Sequence, residues 1–252
     1  MTLLLPTKKQ ILEGYNVALN FFFPQRCQYC RCYLPPHPQQ FLCGQCRSNL
    51  YENISLVCMY CGKPAPDLEL PPYLCGDCRY KDRPSLWFLS AGDYEGILKK
   101  LIHKMKYERR SYIAELLGDF LIGFLQQQQF DSQYFDCIIP VPLSRVKYRD
   151  RGFNQTELIA LRLARWADLP VECSVLKRKH HVHAQVELDR SERLNNLRDI
   201  FYINKKTDLT GKSVILIDDV RSTGSTIYFC AQTLFEAGAE KILGLTLAFN
   251  DR

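Results

Sequence analysis

The clearest hydrophobic pattern in the chain is the aliphatic run VILI at residues 214–217, which continues directly into Asp218 and Asp219. Its apolar residues are consecutive rather than alternating, as is typical of a parallel-sheet strand that is buried on both faces. Other apolar segments predict further strands at 89–92, 137–141, 171–176 and 241–249. Apolar residues at helical spacing predict helices between these strands. The alternation predicts an α/β fold with a doubly wound, mostly parallel sheet.

The helices are predicted from residue 97, over the apolar positions 113–124, from 155 to about 166, and at 227–236. The first of them carries Lys99, Lys100, Lys104 and Lys106, and its lysines 99, 100 and 104 are interpreted as a solvated face. A glutamine run at 126–129 is interpreted as the solvated end of the second helix.

The residues after the 214–217 run predict a ligand site, because open α/β sheets bind ligands just beyond the carboxyl ends of their strands. The carboxylates of Asp218 and Asp219 can accept hydrogen bonds from vicinal hydroxyls or hold Mg²⁺ through water. The five residues at 222–226 add hydroxyls, a glycine and backbone N–H groups at the start of a helix, which suits one phosphate. The segment therefore predicts a sugar-phosphate site.

The order aliphatic-aliphatic-Asp-Asp-x-x-x-Thr-Gly-Ser-Thr resembles the 5-phosphoribosyl-1-pyrophosphate (PRPP) loop of type I phosphoribosyltransferases. The resemblance implies that PRPP and Mg²⁺ bind here, on Asp218, Asp219, Arg221, Ser222, Thr223, Gly224, Ser225 and Thr226. Ser222 stands where the family usually has a second threonine, a change that keeps the hydroxyl. The alternative interpretation is an ordinary strand, turn and helix whose polar residues bind no ligand.

The length, composition and net charge of the chain are compatible with a globular protein that binds a sugar phosphate. The 252 residues are 46% hydrophobic and carry a net charge of +6, which is compatible with a polyanionic ligand. The N-terminal residues lack the order of a signal peptide, and no apolar stretch is long enough to span a bilayer. We therefore expect a cytoplasmic protein, whose cysteines are thiols or metal ligands rather than disulfides.

Eight of the twelve cysteines form four C-x-x-C pairs, and two such pairs complete the tetrahedral sulfur shell that Zn²⁺ favours. The predicted metal ligands are Cys27, Cys30, Cys43, Cys46, Cys58, Cys61, Cys75 and Cys78. They would hold one or two structural zinc ions, with neighbouring pairs sharing an ion or with interleaved pairs. Redox chemistry is the competing interpretation. Cys32 is a spare thiol nearby, whereas Cys137, Cys173 and Cys230 are predicted core residues.

The predicted organisation is an N-terminal helix at 1–25, a zinc module at 26–80 and a phosphoribosyltransferase-like domain at 81–252. Within the last, a basic loop before the helix at 155 carries Arg145, Arg149 and Arg151, and guanidinium groups there suit a pyrophosphate. A solvated basic turn is the alternative. A long polar segment at 176–201 is predicted to be a mobile lid that adds Arg178 and Arg193.

Together, the cysteine pairs, the sequence RGFNQ at 151–155, the lid and the Asp-Asp loop resemble the ComF family of competence and DNA-utilisation proteins. In the lid the resemblance rests on Gln185, Leu188, Arg193, Asn196 and Phe201. It implies a zinc module joined to a phosphoribosyltransferase-like domain, acting in natural transformation or in the use of DNA as a nutrient. The acceptor, and whether catalysis occurs, stay open.

The alternative function is that of a non-enzymatic protein with a vestigial or sensory PRPP pocket. Such a protein would bind single-stranded DNA through the basic helix at 99–106 and the basic loop. A third possibility is a scaffold whose zinc module recruits a competence helicase, a recombination mediator protein or a membrane channel component.

Overall fold

The computed structural model describes residues 24–35, 40–52, 54, 56–58, 61–62, 74–79, 85–179, 200–204 and 207–250. The chain forms two compact units, Met1–Glu52 and Asn53–Arg252. The division falls inside the predicted 26–80 module, so the last two cysteine pairs belong to the same unit as the α/β domain. The predicted helix at 1–25 and the lid residues 180–199 lie outside the described residues, apart from positions 24 and 25.

The main sheet has four parallel strands in the order β1-β6-β5-β2. A separate antiparallel pair, β3 and β4, forms the base of the predicted lid. The strands are β1 Leu86–Ser90, β2 Cys137–Pro140, β3 Leu176–Arg178, β4 Phe201–Ile203, β5 Ser213–Arg221 and β6 Lys241–Phe249. The register sets Ile217 of β5 beside Pro140 of β2 and Leu245 of β6, so these carboxyl ends share one edge.

The described helices are α1 Gly44–Glu52, α2 Gly76–Arg79, α3 Gly96–Tyr107, α4 Ile113–Gln127, α5 Arg145–Arg151, α6 Gln155–Ala167 and α7 Ser225–Glu236. In the α/β unit α6 packs on β2 and β5, and α7 packs on β4, β5 and β6. A short 3₁₀ turn, Ser132–Tyr134, precedes β2. None of the helices in the described part of the chain combines the length and the apolar character needed to cross a membrane.

Strand β5 is covered on both faces, as its uninterrupted apolar run predicts. Val214 and Leu216 pack in one cluster with Cys230 of α7, and all three are fully buried. Side chains alternate along a strand, so Ile215 and Ile217 point to the opposite face, where α6 lies, and both are fully buried there. The prediction of a doubly wound, mostly parallel sheet is confirmed.

Two predicted elements differ from the structure. The basic loop contains helix α5, because the side chain of Ser144 accepts the N–H of Lys147 and caps a first turn. The prediction of a strand at 171–176 is wrong. Val171 forms a single β-bridge with Ile138, and the chain then turns at 173–175. Strand β3 starts at Leu176, beside β4 instead of the main sheet.

Two side chains predicted to be solvated are buried. Lys104 is 2% exposed, with Nζ 3.9 Å from Glu108 Oε2, so its stem packs in the protein while the head reaches a carboxylate. Gln128 is fully buried, and its Oε1 accepts the backbone N–H of Val57 at 3.2 Å. Gln128 therefore anchors the segment that leads into Cys58.

Replacing this anchor tests its structural role. We expect Gln128→Ala to lower the free energy of unfolding by about 1–3 kcal/mol, because it leaves the buried N–H of Val57 without that acceptor. Gln127→Ala is the matched control, since Gln127 is the preceding residue and is exposed. Urea unfolding followed by circular dichroism measures both variants, and equal losses in the two would contradict the anchor.

Candidate functional site

The two aspartates lie inside β5, close to its carboxyl end. Asp218 pairs with Thr246 of β6, and one residue earlier the carbonyl of Ile217 accepts the N–H of Val141, just past β2. Asp219 is 5% exposed and Asp218 is half-buried. The pair therefore stands at the sheet edge where the motif predicts a ligand.

Both carboxylate oxygens of Asp219 are engaged by protein side chains. Lys106 Nζ, from the last turn of α3, lies 2.6 Å from Oδ1, and Gln155 Nε2, at the start of α6, donates to Oδ2 at 2.5 Å. Sequence reasoning missed both partners. Gln155 lies in the RGFNQ stretch that carries the family resemblance, and this was the only available signal.

Asp218, unlike Asp219, has no side-chain partner in the described part of the chain. Burial and then the neighbouring charge of Asp219 raise its pKa to about 7, against the opposing effects of Lys106 and Lys147. Its Oδ1 accepts the backbone N–H of Asp219 at 2.8 Å. A ligand hydroxyl or a divalent cation at this position would favour the ionised form.

Several cations predicted to bind pyrophosphate gather around this edge. Burial, followed by the charges of Arg151, Arg178 and Lys106, lowers the pKa of Lys147, whereas Asp219 raises it. Cations from α3, α5 and β3 thus act on Lys147. Repulsion among them favours an anionic ligand.

The arginines of the predicted pyrophosphate site differ in exposure. Arg145 and Arg149 are exposed, whereas Arg151 is 8% exposed and lies over the ring of Tyr107 at 5.6 Å. Nη1 of Arg151 is buried and has no hydrogen-bond partner in the described part of the chain. Arg193 lies outside the described residues.

A cavity of about 320 Å³ opens beside α5 and is lined by residues of both charge signs. Arg145 and Arg178 contribute guanidinium groups, and Tyr148 and Tyr202 contribute aromatic rings. Cys173, predicted to be a core residue, is instead partly exposed in the cavity wall. The lining combines groups that bind anions with groups that stack on planar ligands.

The predicted phosphate loop connects β5 to α7. Gly224, at φ 78°, precedes the first turn of α7, a conformation that favours glycine. Ser222 and Thr223 are exposed, and Thr223 Oγ1 accepts the N–H of Ser225 at 3.3 Å. The loop therefore presents hydroxyls at a helix N-terminus, where an anion is favoured.

Arg221 ends β5 just before this loop. Its guanidinium carbon lies 4.6 Å from the ring centre of Phe249 and 5.3 Å from that of Phe88. Burial lowers the pKa of Arg221, while negative charge at Cys61 raises it. This side chain is thus sandwiched between two phenyl rings.

The cysteines form two clusters of sequential pairs. In the first unit the sulfurs of Cys27, Cys30, Cys32 and Cys43 all lie within 4.8 Å of one another. The thiol of Cys46 interacts with those of Cys27, Cys30 and Cys43, so the spare thiol Cys32 joins the four predicted ligands. Hydrogen bonds from Cys32 lower the pKa of Cys30 to about 6, which favours a thiolate.

In the second unit Cys58, Cys61, Cys75 and Cys78 bring their sulfurs within 4.8 Å of one another, and the Cys61 and Cys75 sulfurs are 3.7 Å apart. Four cysteine sulfurs at this spacing fit a tetrahedral zinc ion. The expectation of structural zinc is supported at both clusters.

Comparison with known proteins agrees with these features. Residues 18–79 match the double zinc ribbon domain family. The DNA utilization protein YhgH of Salmonella typhimurium is 32% identical, over 80% of this chain and 87% of its own. Competence protein F of Haemophilus influenzae is 31% identical over 80% and 94%, and competence protein ComFC of Bacillus subtilis is 30% identical over 83% and 85%.

Among solved structures, adenine phosphoribosyltransferase from Leishmania tarentolae aligns with 66% of this chain and 93% of its own, at 14% identity and a TM-score of 0.36. That similarity is too low to carry an argument. The sequence relatives, by contrast, extend over most of both chains. The chain belongs to the ComF family of competence and DNA-utilisation proteins.

Proposed function

We propose that this protein binds PRPP with Mg²⁺ at the carboxyl edge of β5 and acts in the cytoplasm in DNA uptake or DNA utilisation. The observation that supports the ligand best is the half-buried carboxylate of Asp218, which stands next to a hydroxyl-rich loop and faces a group of cations. Family membership supports the role in DNA handling. The names of the relatives state competence or DNA utilisation, and the alignments cover most of the length of each relative.

In this proposal each part of the edge binds one part of PRPP. Asp218 accepts hydrogen bonds from the ribose hydroxyls, and the loop at 222–226 binds the 5-phosphate with its hydroxyls and amide groups. Arg145, Arg149 and Arg151, with Arg178 from β3, bind the pyrophosphate. Bound Mg²⁺ would offset the charge of the pyrophosphate.

Asp219 has a different role in this proposal, because both of its oxygens are already engaged. It orients Gln155 and Lys106 and so holds α6 and α3 against the end of β5. Phosphoribosyl transfer would need an acceptor beside the anomeric carbon, and the cavity between Tyr148 and Tyr202 is the candidate for a planar acceptor. Any catalysis there would be electrostatic and positional, through the arginines that stabilise the departing pyrophosphate.

Single-stranded DNA is a second candidate ligand, supported by helix α3. Lys99 and Lys100 are exposed there, and the exposed rings of His103 and Tyr107 contact each other on the same helix, with their centres 4.6 Å apart. Cations beside exposed aromatic rings suit a nucleic-acid backbone and its bases. Partner proteins such as a competence helicase or a recombination mediator stay a hypothesis of the family resemblance alone.

The ligand assignment is tested by isothermal titration calorimetry of the zinc-loaded protein with PRPP and Mg²⁺. We expect the wild-type protein to bind and Asp218→Asn to bind about 10-fold more weakly or worse, because the amide loses charge-assisted hydrogen bonds to the ribose. Asp168→Asn is the control, since Asp168 is an exposed residue after α6 whose left-handed backbone also suits asparagine. No binding by folded wild-type protein would reject the PRPP site.

The raised pKa of Asp218 predicts a pH dependence of binding. The carboxyl is protonated below about pH 7 in the folded protein, so PRPP affinity should rise between pH 6 and pH 8. The same calorimetry across this range measures the effect. Affinity that falls or stays constant in wild-type protein would contradict a role for the ionised carboxylate.

Stability should change with pH in the opposite direction, which gives a test without ligand. The unfolded chain ionises Asp218 near its model value of 3.8 whereas the folded protein does so near 7, so the folded state loses stability as pH rises through this window. We expect the melting temperature of Asp218→Asn, relative to wild-type protein, to increase from pH 5 to pH 8. Differential scanning fluorimetry measures it, with Asp168→Asn as the control.

The DNA hypothesis predicts that the double variant Lys99→Glu/Lys100→Glu weakens binding of single-stranded DNA and flattens its dependence on salt. PRPP binding should be unchanged in that variant, and Asp218→Asn should keep DNA binding. The matched control is Lys212→Glu/Lys241→Glu, because both lysines are exposed at the opposite edge of the sheet. Fluorescence anisotropy over a salt series measures it, and equal losses in the two double variants would reject α3 as the DNA surface.

A further inference from the structure

Arg221 is a half-buried cation in an unusual setting. Its Nε atom is buried without a hydrogen-bond partner, and no carboxylate of the described residues lies within ion-pair distance of its guanidinium. Contacts with the rings of Phe88 and Phe249 offset only part of the cost of removing the charge from water. A source of negative charge near the guanidinium would stabilise it.

The second cysteine cluster, defined by Cys58, Cys61, Cys75 and Cys78, supplies that charge. Negative charge at Cys61 acts favourably on the guanidinium of Arg221. Gly62, the next residue, touches the same guanidinium: a methyl group on its Cα would lie 3.4 Å from Nη2 of Arg221. The turn that carries Cys61 therefore packs directly on Arg221.

Gly62 also fits this contact by its conformation. Its φ is +71°, and the added methyl group would lie 3.0 Å from the carbonyl oxygen of Phe88, so a larger residue is disfavoured. The N–H of Gly62 donates to the carbonyl of Cys58 at 2.8 Å, which closes the cysteine turn. The close approach to β1 and to Arg221 is thus built into the metal-binding turn.

The chemistry of the cluster favours such a cation. Four thiolates around one Zn²⁺ carry a net charge of about −2, and groups around the ligands tune how tightly the metal is held. The guanidinium of Arg221, always protonated at neutral pH, balances part of that charge. The cluster and the arginine therefore stabilise each other when the metal is bound.

Arg221 also connects the cluster to the loop at 222–226. Its carbonyl accepts the N–H of Asn250 at 2.8 Å, which fixes the end of β5 where the loop begins. Its Cδ lies under the loop, since a methyl group on Gly224 would be 3.8 Å from it. Loss of the cluster's charge would free the Arg221 side chain, which lies under the loop.

We propose that Arg221 is a positioning residue that balances the charge of the metal-loaded second cysteine cluster and couples its occupancy to the order of the loop at 222–226. The motif resemblance assigns Arg221 to PRPP; here it serves the metal site beneath the loop instead. The coupling does not depend on the proposed PRPP function, because metal retention and loop order are measured without PRPP.

The first experiment measures metal retention in the full-length, zinc-loaded protein. Arg221→Gln and Arg221→Lys are treated with a zinc chelator, and pulsed alkylation with mass spectrometry follows each cluster separately. We expect Arg221→Gln to expose the cysteines of the second cluster about 10-fold faster than wild-type protein, and Arg221→Lys to stay closer to wild type. The first cluster, in the other compact unit, is the internal control and should react at wild-type rates.

The second experiment uses wild-type protein, so that it does not depend on the folding of a variant. Hydrogen–deuterium exchange of a peptide covering 222–226 is measured with zinc bound and after chelation. We expect faster exchange after chelation, and comparably fast exchange in zinc-loaded Arg221→Gln.

Other outcomes overturn the proposal. Wild-type alkylation rates at the second cluster of Arg221→Gln would show that the metal does not need the guanidinium. Faster alkylation at both clusters would show a general loss of structure instead of a local charge effect. Exchange at 222–226 that does not respond to zinc in wild-type protein would reject the coupling to the loop.

Discussion

The buried carboxylate of Asp219 holds the carboxyl edge of the sheet together. It joins β5 to the last turn of α3 through Lys106 and to the first residue of α6 through Gln155. A carboxylate buried to this degree is tolerated only when its oxygens are paired, so removing either partner would leave an uncompensated polar group in the protein. The three elements that carry the candidate site therefore depend on one side chain for their relative placement.

This constraint divides the work between two adjacent aspartates. Both oxygens of Asp219 bind protein side chains. Its negative charge lies next to Asp218 and is one cause of the raised pKa of Asp218. A carboxyl that is poorly stabilised in the free protein gains most from a ligand that supplies donors or a cation. The electrostatic cost of two adjacent acids therefore falls on Asp218, where a bound ligand could offset it.

Sequence pattern predicted what depends on local hydrophobic order. The strand β6 and the helices α4 and α7 follow from apolar runs and helical spacing, and β5 was placed because its aliphatic residues are consecutive. The cysteine spacing predicted the metal ligands but left their pairing open, and the structure brings the sulfurs of Cys61 and Cys75 to 3.7 Å from each other. These features need few contacts between distant parts of the chain.

Features that depend on tertiary contacts were missed. A lysine such as Lys106 is usually solvated on a helix. Only the position of α3 beside the sheet edge brings its ammonium group to Asp219. Gln128 was interpreted as part of a polar helix end, yet it is buried because a segment 71 positions earlier offers it a backbone N–H. Helix α5 was missed because its basic residues suggested a loop, although Ser144 supplies a cap.

The second cysteine cluster belongs to the same compact unit as the α/β sheet. Gln128 holds the entry to Cys58, and the turn at Gly62 packs on β1 and on Arg221. A closed zinc site is rigid, since its geometry is set by four bonds to one ion. Placing that rigid turn against the end of β5 stiffens the strand from which the phosphate loop departs. In the proposed coupling, a bound metal would support the loop at 222–226 from the second cysteine cluster without touching a ligand.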